Sequence, residues 1–118
     1  MTMRSKVLII DDEESIRVGC QQALEMAGFG VAAAENGERG LEIAKRESFQ
    51  VILLDLMMPG ISGLEVLKQI RKNKKPAELP VIMVTARQDS ADVVEALELG
   101  ANDYVTKPID FAVALARV

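Results

Sequence analysis

Five side chains with reactive oxygen or nitrogen atoms follow short strand-forming runs of the sequence. They are three carboxylates, a hydroxyl and an ammonium, at Asp11, Asp12, Asp55, Thr85 and Lys107. Short continuous apolar runs are typical of strands buried on both faces of a parallel sheet. Because the carboxyl ends of parallel strands share the edge where ligands bind, we expect these side chains to converge on one site.

The chemistry expected at this site is phosphoryl transfer assisted by a divalent cation. Three clustered carboxylates repel one another and raise each other's pKa values unless a cation lies between them. Hard oxygen ligands suit Mg²⁺, which keeps several waters and takes one or two carboxylates. Lys107 adds a positive charge, and Thr85 adds a hydroxyl donor. Asp55, in the middle of the group, is then the natural nucleophile for a phosphoryl group.

The elements that would position these residues alternate between strand and helix. Strand-like runs cover residues 7–10, 29–33, 51–54, 81–84 and 103–106. Each is followed by apolar residues at helical spacing, beginning near Ile16, Leu41, Leu64, Val93 and Phe111. This order indicates an α/β flavodoxin-like doubly wound (βα)5 domain, a three-layer sandwich whose parallel five-stranded sheet has the order 2-1-3-4-5. In that order the chain reverses direction between strands one and three, which carry the aspartates.

Turn and cap residues mark where some of the predicted helices begin. Asn36-Gly37 should form a turn after the second strand. Asp89 or Ser90 should cap the fourth helix, and Asp110 should cap the fifth. The apolar residues that mark the fourth helix are Val93, Val94, Ala96 and Leu97.

The composition narrows the classes of function. The chain has 118 residues, the size of one domain with a sizeable core. A net charge of −4 argues against a nucleic-acid-binding surface, and the lack of histidine excludes histidine metal ligands and a phosphohistidine carrier. No apolar stretch approaches membrane-spanning length, and Cys20 is alone, so it allows no internal disulfide. We therefore expect a cytoplasmic domain that binds neither nucleic acid nor a membrane.

Taken together, the motifs resemble the receiver domain of bacterial two-component response regulators. The motifs that carry the resemblance are Asp11-Asp12, Asp55 followed by Met58-Pro59-Gly60 and Gly63, Thr85-Ala86, and Lys107-Pro108. They span essentially the whole chain, so residues 1–118 are expected to form one receiver domain. Because the last helical pattern is still periodic at Val118, we expect the natural chain to continue into an effector domain.

The resemblance implies that Asp55 is phosphorylated in a Mg²⁺-dependent reaction. The phosphodonor would be a sensor histidine kinase, a phosphotransfer protein or a small phosphodonor. Carried over by position, Asp12, Asp55 and the backbone carbonyl of Met57 would bind the metal directly, and Asp11 would act through water. Lys107 would pair with the phosphoryl group. The domain would then be a signalling switch and not an enzyme.

The resemblance also implies a conformational readout. Thr85 and Tyr104 match the switch pair of the family. A phosphoryl oxygen would draw the Thr85 hydroxyl inward, vacating space that the Tyr104 ring can fill. The readout face would consist of the fourth helix, the fifth strand and the fifth helix, which the family uses for homodimerisation or for docking its own effector domain.

Two positions depart from the chemotaxis-type pattern of the family, and three other functions stay open. Met57 is apolar and Arg87 is basic, so we expect slow hydrolysis of the phosphoryl group. An aspartyl-nucleophile phosphohydrolase would want an acidic residue in place of Met57, and also a cap over the substrate. A flavin-binding electron carrier would need a phosphate-cradling loop where the sequence has the acidic residues 11–14. A receiver that is never phosphorylated and only docks would not need the complete acceptor set.

Overall fold

Strands and helices alternate along the chain in the computed structural model, which describes residues 5–86 and 90–107. The strands are β1 (Lys6–Ile10), β2 (Gly30–Ala34), β3 (Val51–Asp55), β4 (Val81–Thr85) and β5 (Asp103–Thr106). The helices are α1 (Glu14–Met26), α2 (Gly37–Arg46), α3 (Gly63–Asn73) and α4 (Ser90–Glu98). These strands are the ones that the apolar runs predict, although β2 begins and ends one residue later than expected.

The sheet has the predicted topology. All its strands pair in parallel, in the order β2-β1-β3-β4-β5. The chain therefore leaves every strand at the same edge of the sheet. Because Ile10 lies opposite Leu54 in the register of β1 and β3, the residues that follow them come together at this edge.

Helices cover both faces of the sheet, as continuous apolar strands require. Leu8 and Ile10 of β1 belong to the core beneath α2, α3 and α4. Their neighbours Val7 and Ile9 point to the opposite face and pack with α1, because successive side chains of a strand alternate. Cys20 of α1 is buried in this second core, where desolvation raises the pKa of its thiol to about 11. It is therefore a packing residue and not a reactive thiolate.

The Asn36-Gly37 pair begins a helix instead of forming a separate turn. Helix α2 begins at Gly37, and Asn36 is its N-cap residue. The Asn36 Oδ1 atom accepts a hydrogen bond of 2.8 Å from the Arg39 N–H. Asparagine is favoured both in turns and at N-caps because its side chain can replace a missing backbone acceptor, so the sequence pattern did not separate the two.

Helix α4 buries a narrower face than its apolar residues indicate. Val93 and Ala96 are buried, but Val94 and Leu97 are exposed. A helix that packs on one side of a sheet buries only one stripe, and residues one position further round the helix point away from the core. An exposed apolar pair therefore remains on this helix.

Several expectations concern residues outside the described ranges. The predicted fifth helix at residues 110–118 lies there, together with its cap Asp110, and so do Arg87, Asp89 and Pro108. Within residues 5–86 and 90–107, no helix is long and apolar enough to span a membrane.

Candidate phosphoacceptor and metal site

The aspartates predicted to cluster do so at the carboxyl edge of β1 and β3. Asp11 and Asp12 directly follow β1, and Asp55 is the last residue of β3. One carboxylate oxygen of each lies within 4.8 Å of the others. Asp11 and Asp55 are buried, at 1% and 2% exposed, whereas Asp12 is exposed. The structure thus assembles a cluster of carboxylates that is buried on one side and open to solvent at Asp12.

Within the described part of the chain, each of the two buried carboxylates has one oxygen without a hydrogen-bond donor. Asp11 Oδ1 accepts a hydrogen bond of 2.9 Å from the Glu13 N–H, and Asp55 Oδ1 accepts one of 3.3 Å from the Met57 N–H. The second oxygens, Asp11 Oδ2 and Asp55 Oδ2, are buried with no hydrogen-bond partner among the described residues. Because buried polar atoms are normally satisfied, these two oxygens in the carboxylate cluster fit a hard cation such as Mg²⁺.

The electrostatics of the cluster also favour a cation. Burial, followed by the charge of Asp11, raises the pKa of Asp55 to about 7, although Lys107 acts in the opposite direction. Burial likewise raises the pKa of Asp11, against the lowering effects of the Glu13 N–H and of Lys107. A positive charge placed between the carboxylates would reverse these shifts, since it stabilises their ionised forms.

Lys107 reaches the cluster from the end of β5, the outermost strand on one side of the sheet. It follows β5, and its backbone N–H donates a hydrogen bond of 2.7 Å to the Thr85 carbonyl at the end of β4. Its Nζ atom lies 3.4 Å from Asp55 Oδ1 and 3.8 Å from Asp11 Oδ2. Burial would lower the pKa of Lys107, but its hydrogen bond to Glu13 and the neighbouring carboxylates outweigh that effect and raise it. The ammonium is therefore held charged beside Asp55.

Glu13 is a member of the site that the sequence reasoning did not identify. Its Oε1 atom accepts a hydrogen bond of 2.8 Å from Lys107 Nζ, the shortest of the contacts that Lys107 makes with carboxylates. In the sequence Glu13 is only the third residue of the acidic run at 11–14. The pairing joins residues 94 positions apart, so no local pattern indicates it.

The two residues predicted to form a switch pair lie at different distances from the carboxyl edge of the sheet. Thr85 is buried at the end of β4, at the edge that carries the aspartates, and its hydroxyl donates a hydrogen bond of 3.1 Å to the Ala86 carbonyl. Tyr104 lies on β5 opposite Met83, two residues before that edge, and its side chain is exposed. Tyr104 therefore stands outside the carboxylate cluster.

The loop after β3 shapes the mouth of the site. The Met57 side chain is 59% exposed, and its backbone N–H donates a hydrogen bond to the acceptor carboxylate. Gly63 begins α3 so close to the end of β3 that an added Cβ atom would overlap the Asp55 carbonyl oxygen. Its N–H donates a hydrogen bond of 3.0 Å to the Leu56 carbonyl, which folds the loop back on itself. The glycine of the sequence motif thus permits a close backbone approach.

Comparison with known proteins identifies the family. The sequence profile of the response regulator receiver domain matches residues 7–118. The transcriptional regulatory protein CseB of Streptomyces coelicolor is 45% identical over 118 residues, which cover 100% of this chain and 49% of that protein. The alkaline phosphatase synthesis transcriptional regulatory protein PhoP of Bacillus subtilis is 44% identical over 116 residues, covering 98% of this chain and 48% of that protein. The chain therefore spans about half the length of these curated relatives.

Solved structures show the same fold. The chemotaxis protein CheY4 of Vibrio cholerae superposes with a TM-score of 0.90 at 30% identity, over 98% of this chain and 96% of that one. The activated DrrB receiver domain, determined with BeF3, superposes with a TM-score of 0.85 at 33% identity, over 98% of this chain and 94% of that one. The sheet order, the carboxylate cluster and the profile match agree with one another. The chain belongs to the response regulator receiver domains, the phosphoacceptor domains of two-component signalling.

Proposed function

We propose that Asp55 is the residue that accepts the phosphoryl group. The observation that carries this proposal is the setting of its carboxylate, which is buried at the end of β3. One of its oxygens has no hydrogen-bond partner among the described residues, and Lys107 Nζ lies 3.4 Å from the other. A carboxylate oxygen of Asp55 would form the new bond to phosphorus as the phosphorus–nitrogen bond of a phosphohistidine breaks. The electron pair of the broken bond would stay on the imidazole nitrogen of the donor.

The metal would be held by the same edge of the sheet. Asp12, Asp55 and the backbone carbonyl of Met57 would bind Mg²⁺ directly, with Asp11 acting through water; the buried oxygens without partners support a cation here. When bound, Mg²⁺ supplies positive charge that offsets the carboxylates and the incoming phosphoryl oxygens. Lys107 would contribute the second positive charge, because its ammonium is anchored within reach of Asp55.

The signal would leave the site through β4 and β5. Thr85 would turn its hydroxyl toward the phosphoryl group, and Tyr104 would move into the space that this vacates. The exposed apolar side chains Val94 and Leu97, close in sequence to β5, support a readout face made by α4, β5 and the predicted fifth helix. We propose that this face mediates homodimerisation of the phosphorylated form or docking of the effector domain.

The wider setting is proposed from the relatives. Residues 1–118 would be the receiver part of a longer protein, because the curated relatives named above are about twice as long. A sensor histidine kinase or a phosphotransfer protein would be the donor, in the cytoplasm, and a C-terminal effector domain would deliver the output. Since those relatives are named as transcriptional regulatory proteins, control of transcription is the output that we propose. The domain itself would act as a switch and not as an enzyme, since Met57 stands where a phosphohydrolase would need an acid.

The test is uptake of a phosphoryl group from acetyl phosphate, measured by intact-protein mass spectrometry. We expect the parent protein to gain one phosphoryl group with Mg²⁺ present and none with EDTA, and Asp55→Ala to gain none. Glu25→Ala is the matched control, because Glu25 is an exposed carboxylate near the far end of α1. Uptake by Asp55→Ala at the parent level, or uptake by the parent in EDTA, would show the acceptor or the metal requirement to be wrong.

A further inference from the structure

The ammonium of Lys107 is paired with a residue that has no assigned role in the phosphoryl chemistry. Its Nζ atom lies 2.8 Å from Glu13 Oε1 but 3.4 Å from Asp55 Oδ1. We propose that Glu13 is a positioning residue that restrains Lys107 in the unphosphorylated state and releases it when Asp55 carries a phosphoryl group. This inference rests on the proposed role of Asp55.

The Glu13 carboxylate has no other structural task within the described part of the chain. Glu13 is the N-cap residue of α1, yet its side chain makes no capping hydrogen bond. The helix is begun instead by its backbone carbonyl, which accepts hydrogen bonds of 3.1 Å from the N–H groups of Ile16 and Arg17. A change confined to the carboxylate should therefore leave the start of α1 intact.

Only the side chain of Lys107 is free to change partner. Its backbone N–H is bonded to the Thr85 carbonyl at 2.7 Å, which ties the start of the lysine side chain to the end of β4. From this anchor the ammonium lies within 4 Å of Glu13, Asp55 and Asp11 at once. A small movement of the flexible stem is enough to exchange one carboxylate for another.

The difference in burial makes the Glu13 contact the weaker one. The Glu13 side chain is 52% exposed, whereas that of Asp55 is 2% exposed. Exposed ion pairs are screened by water and contribute little free energy. A phosphoryl group carries nearly two negative charges with strong acceptor oxygens, so on buried Asp55 it should attract the ammonium away from Glu13. Glu13 therefore acts as a reversible competitor and not as a permanent anchor.

The test compares binding of beryllofluoride, a phosphoryl mimic, by isothermal titration calorimetry at saturating Mg²⁺. Glu13→Gln removes the competing charge, so we expect about threefold tighter binding, the size of a surface ion pair. Glu14→Gln is the matched control: it removes the same charge one residue away, and the Glu14 side chain makes no hydrogen bond or ion pair with the described residues. The Glu14→Gln variant should bind beryllofluoride with nearly the parent affinity. Because Glu13→Asp keeps the negative charge, its affinity for beryllofluoride should also lie near that of the parent.

A second readout follows the resting contact itself. The side-chain nitrogen resonance of Lys107, measured by NMR without beryllofluoride, should shift in Glu13→Gln and stay in place in Glu14→Gln. Thermal unfolding of the variants checks that the fold is retained. Weaker or unchanged beryllofluoride binding in Glu13→Gln, an equal effect of Glu14→Gln, or an unmoved Lys107 resonance would each overturn the inference. A parent protein that binds no beryllofluoride with Mg²⁺ would instead overturn the proposed function, and this inference with it.

Discussion

Replacement of Asp55 by asparagine should stabilise the protein when Mg²⁺ is absent. Burial is the largest cause that raises the pKa of Asp55 from an ordinary 3.8 to about 7. Between these two values the folded state binds more protons than the unfolded state, so the free energy of unfolding falls as the pH rises through this window. Above pH 7 the full penalty of the ionised carboxylate is present. Asparagine has nearly the same shape and carries no charge.

The size of the effect follows from the shift. A pKa change of one unit corresponds to about 1.4 kcal/mol, so the penalty on ionised Asp55 has a ceiling of roughly 4 kcal/mol. The pKa of about 7 already contains the opposing effect of Lys107, but the Asp55 carboxylate shares the penalty with Asp11. We therefore expect Asp55→Asn to raise the free energy of unfolding by about 1–3 kcal/mol at pH 8. For a domain of this size each kcal/mol raises Tm by roughly 3–6 °C.

The assay is urea unfolding followed by circular dichroism, with EDTA, at pH 8 and at pH 5. The increase in the free energy of unfolding caused by Asp55→Asn should become smaller as the pH falls from 7 toward 4, because the parent Asp55 becomes protonated in this range. Saturating Mg²⁺ at pH 8 should also shrink it, by stabilising the parent more than the variant. Asp92→Asn, on α4, should change stability by less than about 0.5 kcal/mol. A loss of stability in Asp55→Asn, or a gain that does not vary with pH, would refute the electrostatic reasoning.

Three further substitutions test other parts of the site and its support. Met57→Asn should speed loss of the phosphoryl group by up to about tenfold, because an amide at the mouth can orient an attacking water; equal first-order decay of the two phosphoproteins would contradict this. Gly63→Ala should lower the free energy of unfolding by about 1–3 kcal/mol, measured in urea, since its Cβ would overlap the Asp55 backbone. Arg71→Lys should lower Tm and reduce the free energy of unfolding by about 1–3 kcal/mol. The reason is that lysine cannot reproduce the hydrogen bonds that the guanidinium donates to the carbonyls of Gly100 and Leu79 and to the side chain of Asn102. An unchanged Tm would show that those hydrogen bonds contribute nothing to stability.

Much of the fold could be predicted because its determinants are local. The continuous apolar runs of β1, β3 and β4 can be buried only between two layers of helices, and this requirement leads directly to a parallel sheet. Since parallel strands end at one edge, the positions of Asp11, Asp55 and Lys107 at the carboxyl ends of their strands were enough to predict that they meet. The periodicity also predicted α4, but not that Val94 and Leu97 would be exposed, because that depends on how the helix rests on the sheet.

The sequence by itself thus determined the order of the elements, the edge that carries the chemistry and the residue types at that edge. Only the tertiary structure decided how the charges there are paired. It brought both Glu13 and Asp55 within 4 Å of the Lys107 ammonium, and it buried one oxygen each of Asp11 and Asp55 without a hydrogen-bond donor from the described residues. The physical reason is that strand position follows from local hydrophobicity, whereas a contact between long side chains 94 residues apart depends on distances and burial that arise only when the sheet has assembled.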